Sequence, residues 1–124
     1  MSTRLKLKAQ LYCGDEIAMG PGKAALLAAI AETGSISAAG RALGMSYRRT
    51  WLLVDVMNRC WKTPLVETAA GGSKGGGARL SALGGQVLDS YRVLETAIEQ
   101  AAAGAAFDAL AAALLTQPRQ AQKK

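Results

Sequence analysis

Tyr47, Arg48, Arg49 and Trp51 fall within five consecutive positions near the middle of the sequence. Two guanidinium groups offer forked donors that match phosphate oxygens and guanine edges, and two aromatic rings supply faces and apolar contact. That is the chemistry of polyanion recognition. Ser46 just before them and Ser35 earlier each carry a hydroxyl suited to start a helix, while Lys74 and Arg79 add cations further along. Bond-breaking chemistry has little to draw on. The chain has no histidine, the commonest general base and metal ligand, and its few carboxylates are scattered. Its serines and threonines lack a partner base, and Cys13 and Cys60 form no C-x-x-C motif. A binding protein, with no enzyme activity, cofactor or metal, is therefore expected.

Those side chains need a rigid support, and the stretch GSISAAGRALGMSYRRTWLLVDVMN, residues 34–58, provides one. From Ser35 a short helix carries Ala38, Ala39, Ala42 and Leu43 on one small apolar face, and Gly44 ends it. From Ser46 a longer helix runs to about Cys60, with Thr50, Val54, Met57 and Trp61 on one stripe. Two helices joined by a short turn containing glycine form a helix-turn-helix. The opposite face of the second helix then presents Tyr47, Arg48, Arg49, Trp51 and Leu52 where a helix entering a DNA groove presents its reading residues. The plainer alternative puts Trp51 in the core and leaves the arginines as a solvated face.

Charge supports the first option. The formal charge of the 124 residues is +6, and it is unevenly spread. Arg41 to Arg79 holds seven basic residues against Asp55 and Glu67, whereas Leu80 to Leu115 holds only Arg92 against four carboxylates. A cationic middle third is the footprint of a polyanion-binding surface. Two isolated cysteines, expected to be buried as small hydrophobes, fit a reducing compartment. The N-terminal residues alternate charge with leucine, so no apolar leader is expected, and the apolar run from Ala97 to Leu115 contains Glu99 and Asp108, so a soluble cytoplasmic protein is expected.

The remaining elements follow in order. Residues 4–12, RLKLKAQLY, alternate with period two and predict a half-buried strand. A first helix starts near Pro21 and carries Leu26, Leu27 and Ile30. Past Thr63-Pro64, two short strands at residues 65–68 and 79–81 enclose a glycine-rich loop, a β-hairpin wing with Lys74 at its tip and Arg79 on its return strand. Both are placed to meet a phosphate or the minor groove. The loop fails as a phosphate cradle, because Lys74 lies between Ser73 and Gly75 rather than in G-x-x-x-x-G-K-[ST]. A plain flexible linker is the other reading.

From Ala82 a long helix reaches Ala103 or, past a weak point at Gly104, Leu115. Leu83, Val87, Tyr91, Leu94 and Ile98 make its stripe, which calls for a partner, and the same helix of a second copy is the economical one. Folding back on its own domain is the alternative. The tail TQPRQAQKK is polar and expected to be disordered. The expected organisation is a DNA-binding domain over residues 1–81, a dimerisation helix over 82–115 and a tail over 116–124. The class is mainly α with a small β wing: a winged helix-turn-helix with a long C-terminal dimerisation helix.

The segment at residues 34–58, followed by LVETAAGGSKGGGARLSALGGQVLDSY, closely resembles the N-terminal DNA-binding domain of molybdate-responsive ModE transcriptional regulators. It is similar, more distantly, to the winged-helix domain of LysR-type regulators. GSIS before the first helix of the pair, SY and W opening the second, MN near its end and the glycine-rich wing carry the likeness, which spans about residues 5–105. The resemblance implies dimerisation through the last long helix and control of genes for molybdate uptake and molybdoenzymes. It places the recognition-helix start on Ser46, Tyr47, Arg48 and Trp51 and the wing on residues 71–79. The family's molybdate-binding domain, with its S-A-R-N type motif, has no counterpart in these residues, so molybdate binding within them is not expected. The alternatives are an architectural protein that binds DNA without sequence preference, or an adaptor docking a separate effector protein.

Overall fold

The computed structural model of the chain describes residues 3–69 and 77–121. Lys74 and the rest of the glycine run before Gly77 lie outside them, so the expected wing tip does too. The described residues form five helices and two separate two-stranded antiparallel ribbons.

The N-terminal ribbon is much shorter than the alternating pattern predicts. Strand β1 spans only Leu11–Cys13 and pairs with β2, Glu16–Met19, across a Gly14-Asp15 turn. Gly14 takes φ 59°, which glycine adopts without a side-chain penalty. The strand cannot extend toward Arg4 because its partner runs out: Met19 is followed by Gly20 and Pro21, where a helix begins. Residues 3–10 have no regular structure, and Leu5 and Leu7 are exposed instead of sharing a buried face.

Helix α1, Pro21–Thr33, has proline at its first turn and Gly34 in the left-handed conformation at its end, the Gly34 N–H donating to the Ile30 carbonyl at 2.8 Å. It contributes Ala24, Leu26, Leu27 and Ile30 to the centre of the core. Helix α2, Ile36–Ala42, and helix α3, Tyr47–Arg59, start where the sequence places them, each on a serine cap. The Ser35 Oγ accepts from the Ala38 N–H and the Ser46 Oγ from the Arg49 N–H, both at 3.1 Å. The two helices touch closely because Gly40 has no side chain. A Cβ there would collide with the buried Thr50, whose hydroxyl donates to the Ser46 carbonyl at 2.8 Å. The stripe Thr50, Val54 and Met57 is buried as expected, and Trp61 is half-buried with its Nε1 donating to the Ala18 carbonyl at 3.2 Å.

Strands β3, Val66–Thr68, and β4, Ala78–Leu80, form the second ribbon, with Val66, Glu67 and Thr68 opposite Leu80, Arg79 and Ala78. Helix α4, Ala82–Ala102, follows on the Ser81 cap. The chain then breaks: Ala103 is extended, Gly104 has φ 146°, and a separate helix α5 covers Ala105–Ala113. The long-helix option through Leu115 is thus corrected to two helices, glycine supplying the backbone angle at the joint. Among the described residues no helix is long and apolar enough to cross a membrane.

The start of α4 packs on the same core. Leu83 and Val87 lie against it, and Tyr91 is buried with its hydroxyl donating to the Ala9 carbonyl at 2.7 Å. Burial raises the Tyr91 pKa above its ordinary 10.0. A folded-state pKa raised above the unfolded one gives a contribution that is complete below the unfolded value and lost as pH rises through the folded one. Thermal melts should therefore weaken as pH climbs beyond about 10. Tyr91→Phe should start about 1 kcal/mol less stable at neutral pH and lose less on that climb.

Candidate nucleic-acid interface

The capped start of α3 points its cluster into solvent. Tyr47 is 68% exposed and Trp51 39%, with ring centroids 6.1 Å apart and planes tilted by 57°. Trp51 is thus partly covered without joining the buried core, and Leu52 beside it is exposed. Arg48 and Arg49 are exposed, and neither forms an ion pair with another described residue. They differ in this from Arg59 at the far end of α3, which binds Asp55 at 2.8 Å and Glu16 at 3.3 Å. The hydrogen bond to Asp55, more than the charge of Asp55 or the bond to Glu16, holds the Arg59 guanidinium more firmly protonated. Lys23, half-buried, has its pKa lowered from 10.5 chiefly by that burial, with the charge of Arg49 adding to the effect and Glu16 opposing it.

The second ribbon reaches the same face. A groove of about 250 Å³ is lined by Ser35, Ile36 and Ser37 from the α2 start, by Trp51 from α3 and by Thr68, Ala69, Gly77 and Ala78 from the ribbon. The ribbon is anchored there by the Ala78 N–H, which donates to the Gly34 carbonyl at 2.9 Å. Ser35, Trp51 and the base of the expected wing thus meet around one depression. Ser46 lies at the edge of the cluster, its hydroxyl occupied as the α3 cap.

Arg79 has a partner that the sequence reading did not foresee. Its Nε donates to Glu67 Oε1 at 3.1 Å, directly across the ribbon, and both side chains are exposed. Period-two pairing around a short hairpin was the available signal, since it sets Glu67 opposite Arg79. Any phosphate contact by Arg79 competes with that pair. Lys74 lies outside the described residues.

Asn58, in the MN pair that carries part of the family likeness, fixes the second ribbon to α3. Its Oδ1 accepts from the N–H groups of Leu65 and Val66, both at 3.0 Å, and its Nδ2 donates to the Val66 carbonyl at 3.2 Å. Leu65 and Val66 are buried, so water cannot replace these bonds without disturbing the core. Asn58→Ala should cost about 2–4 kcal/mol in urea unfolding, and Asn58→Asp should also destabilise, because it keeps the acceptor for Leu65 and Val66 but turns a carboxylate oxygen toward the Val66 carbonyl.

The stripe assigned to a dimer divides in two. Leu83 and Val87 are half-buried against the chain's own core and Tyr91 is buried in it, while together with Leu11, Met19, Trp61 and Leu94 they line an open, mostly apolar groove of about 350 Å³. Leu94 is 40% exposed and Ile98 is half-buried beside Leu7 and Ala9. Beyond the break, Leu110 and Leu114 are 72% and 62% exposed.

Known proteins resemble this chain over the part that holds the site. It is 45% identical over 80 residues to the molybdenum-pterin-binding protein MopB of Rhodobacter capsulatus, covering 64% of this chain and 30% of that one. With the molybdenum transport protein ModE of Azotobacter vinelandii the identity is 34% over 100 residues, covering 81% and 37%. With the DNA-binding transcriptional dual regulator ModE of Escherichia coli K12 it is 37% over 90 residues, covering 73% and 32%. No family model matches the chain. The chain spans roughly a third of the length of the curated relatives it matches. Over that third, it is a homologue of the ModE and MopA/MopB proteins.

Proposed function

We propose that this chain is the winged helix-turn-helix DNA-reading part of a cytoplasmic, ModE-type transcriptional regulator that controls genes for molybdate uptake or molybdoenzymes. The observation that carries the reading is the start of α3, where Tyr47, Arg48, Arg49 and Trp51 stand in solvent on a capped helix and the two guanidiniums are unpaired among the described residues. In this reading α3 enters the major groove, Arg48 and Arg49 meet base edges or phosphates, and the ribbon of β3 and β4 lies over the flanking backbone as the wing. Ser35 and Ser46 set the two helix starts, while Arg79 and Lys74 supply the wing's charge. Two copies, joined through the stripe of α4 that runs from Leu83 to Ile98, present two α3 helices about 34 Å apart to an inverted repeat. The chain acts by occupying DNA and catalyses no reaction.

Footprinting of genomic fragments with the purified protein, with and without molybdate, tests this reading. The expected result is protection of a small set of promoter fragments at salt concentrations where bulk DNA is released. Equal affinity for every duplex would replace it with an architectural role, and no binding at low ionic strength would overturn both.

A further inference from the structure

Alternation along the second ribbon sends its charges one way and its apolar residues the other. Val66 is buried and Leu80 half-buried against the core, while Glu67 and Arg79, opposite each other in the register, are exposed. They meet in solvent, Arg79 Nε donating to Glu67 Oε1 at 3.1 Å with the side chains 82% and 51% exposed. No other residue of β3 or β4 is charged, so the closed pair leaves these two strands electrically neutral. The pair also stands on the face that carries the α3 cluster. Glu67 and Arg79 line a depression of about 570 Å³, and Thr68, Ala69, Gly77 and Ala78 belong both to it and to the groove that holds Ser35 and Trp51. The ribbon is held in that place by the Ala78 to Gly34 bond and by Asn58.

We propose that Glu67 is a specificity-determining residue of the DNA site, keeping Arg79 occupied until α3 is seated in its groove and so withholding the ribbon's cation from duplex of arbitrary sequence. The proposal rests on the reading of this chain as a DNA-binding module. A carboxylate beside a guanidinium cancels most of its pull on distant phosphates. A phosphate that reaches Arg79 must in addition displace Glu67 or lie beside a like charge. Because the pair is exposed it is weakly held, and a phosphate fixed against it opens it, gaining a charge-assisted bond. Base contacts from α3 fix a phosphate in that way in a promoter complex. A sliding, loosely bound complex does not. Arg48 and Arg49, without ion pairs among the described residues, attract any duplex, and Arg79 joins them only once the helix is seated.

The test is titration of the purified full chain and of Glu67→Gln with a random-sequence duplex and with the preferred promoter fragment, each at two salt concentrations. Glu67→Gln should bind the random duplex roughly three- to tenfold more tightly, with a salt slope steeper by about one, while promoter affinity changes by less than about twofold. The ratio between the two narrows. In an Arg79→Ala background the same substitution should lose most of its effect, which separates release of Arg79 from simple removal of a negative charge. An equal gain with and without Arg79, an equal gain on both duplexes, or no gain on the random duplex would each overturn the proposal. Failure of the underlying reading shows separately, in a parent chain that binds neither duplex at low ionic strength.

Discussion

Gly84→Ala is expected to destabilise the fold by about 3–4 kcal/mol, lowering the melting temperature by roughly 10–25 °C, with the steric and hydrogen-bond losses acting together. Gly84 is a buried residue in the first turn of α4, and a Cβ there would land on the Leu65 carbonyl oxygen, with the carbonyl carbon at 3.0 Å. Leu65 cannot move aside easily. Its side chain is fully buried, its N–H donates to Asn58 Oδ1 at 3.0 Å, and its carbonyl accepts from the Ser81 N–H at 2.8 Å. Relief must therefore come from α4 backing away. That weakens the Ser81 to Leu65 bond, the Ser81 Oγ to Pro64 carbonyl bond at 2.7 Å and the Ser81 cap on the Gly84 N–H at 2.9 Å. The neighbouring glycine is the internal control. A Cβ on Gly85 meets nothing within 4 Å, so Gly85→Ala should stabilise by about 0.5–1 kcal/mol through helix propensity. Circular-dichroism melts of the two variants read the difference directly; equal melting temperatures would mean that α4 does not start over Leu65.

The comparison of these adjacent glycines shows where sequence reasoning stops. Both sit in the run ALGGQV with the same neighbours in composition, and only a backbone segment 19 residues earlier distinguishes them. Local signals behaved differently. Ser35 and Ser46 announce their helices because a cap bonds to an N–H three residues on, a distance that sequence displays. The Thr50, Val54 and Met57 stripe was legible for the same reason, since helical spacing alone puts the three on one face. The N-terminal strand failed because alternation says which residues share a face and is silent on whether a partner strand exists. Tyr91 shared a helical face with Leu83, Val87, Leu94 and Ile98, but its role depends on Ala9, 82 positions away.

Replacing Arg48 and Arg49 together with alanine is expected to weaken binding to the preferred promoter fragment by about 2–6 kcal/mol, or roughly 30-fold to 25,000-fold, if each loses a base or phosphate contact. The fold should not follow. Both side chains are exposed and without ion pairs among the described residues, and the α3 cap uses the Arg49 backbone N–H, which alanine keeps. Melting of the double variant should therefore stay within about 0.5 kcal/mol of the parent, alanine being the better helix former. The single variants separate two kinds of contact. A phosphate-binding arginine, once removed, lowers affinity alike for all sequences and flattens the slope of log affinity against log salt by about one. A base-reading arginine leaves non-specific affinity nearly intact and narrows the gap between the best fragment and bulk DNA. Arg59→Ala supplies the contrast from the other end of the same helix: its guanidinium is held by Asp55 and Glu16 in solvent, so the change should cost little in stability and little in DNA affinity. Mobility-shift titrations at two salt concentrations measure all four proteins. If the double variant bound its promoter as tightly as the parent while Arg59→Ala did not, the DNA-facing end of α3 would have been assigned the wrong way round.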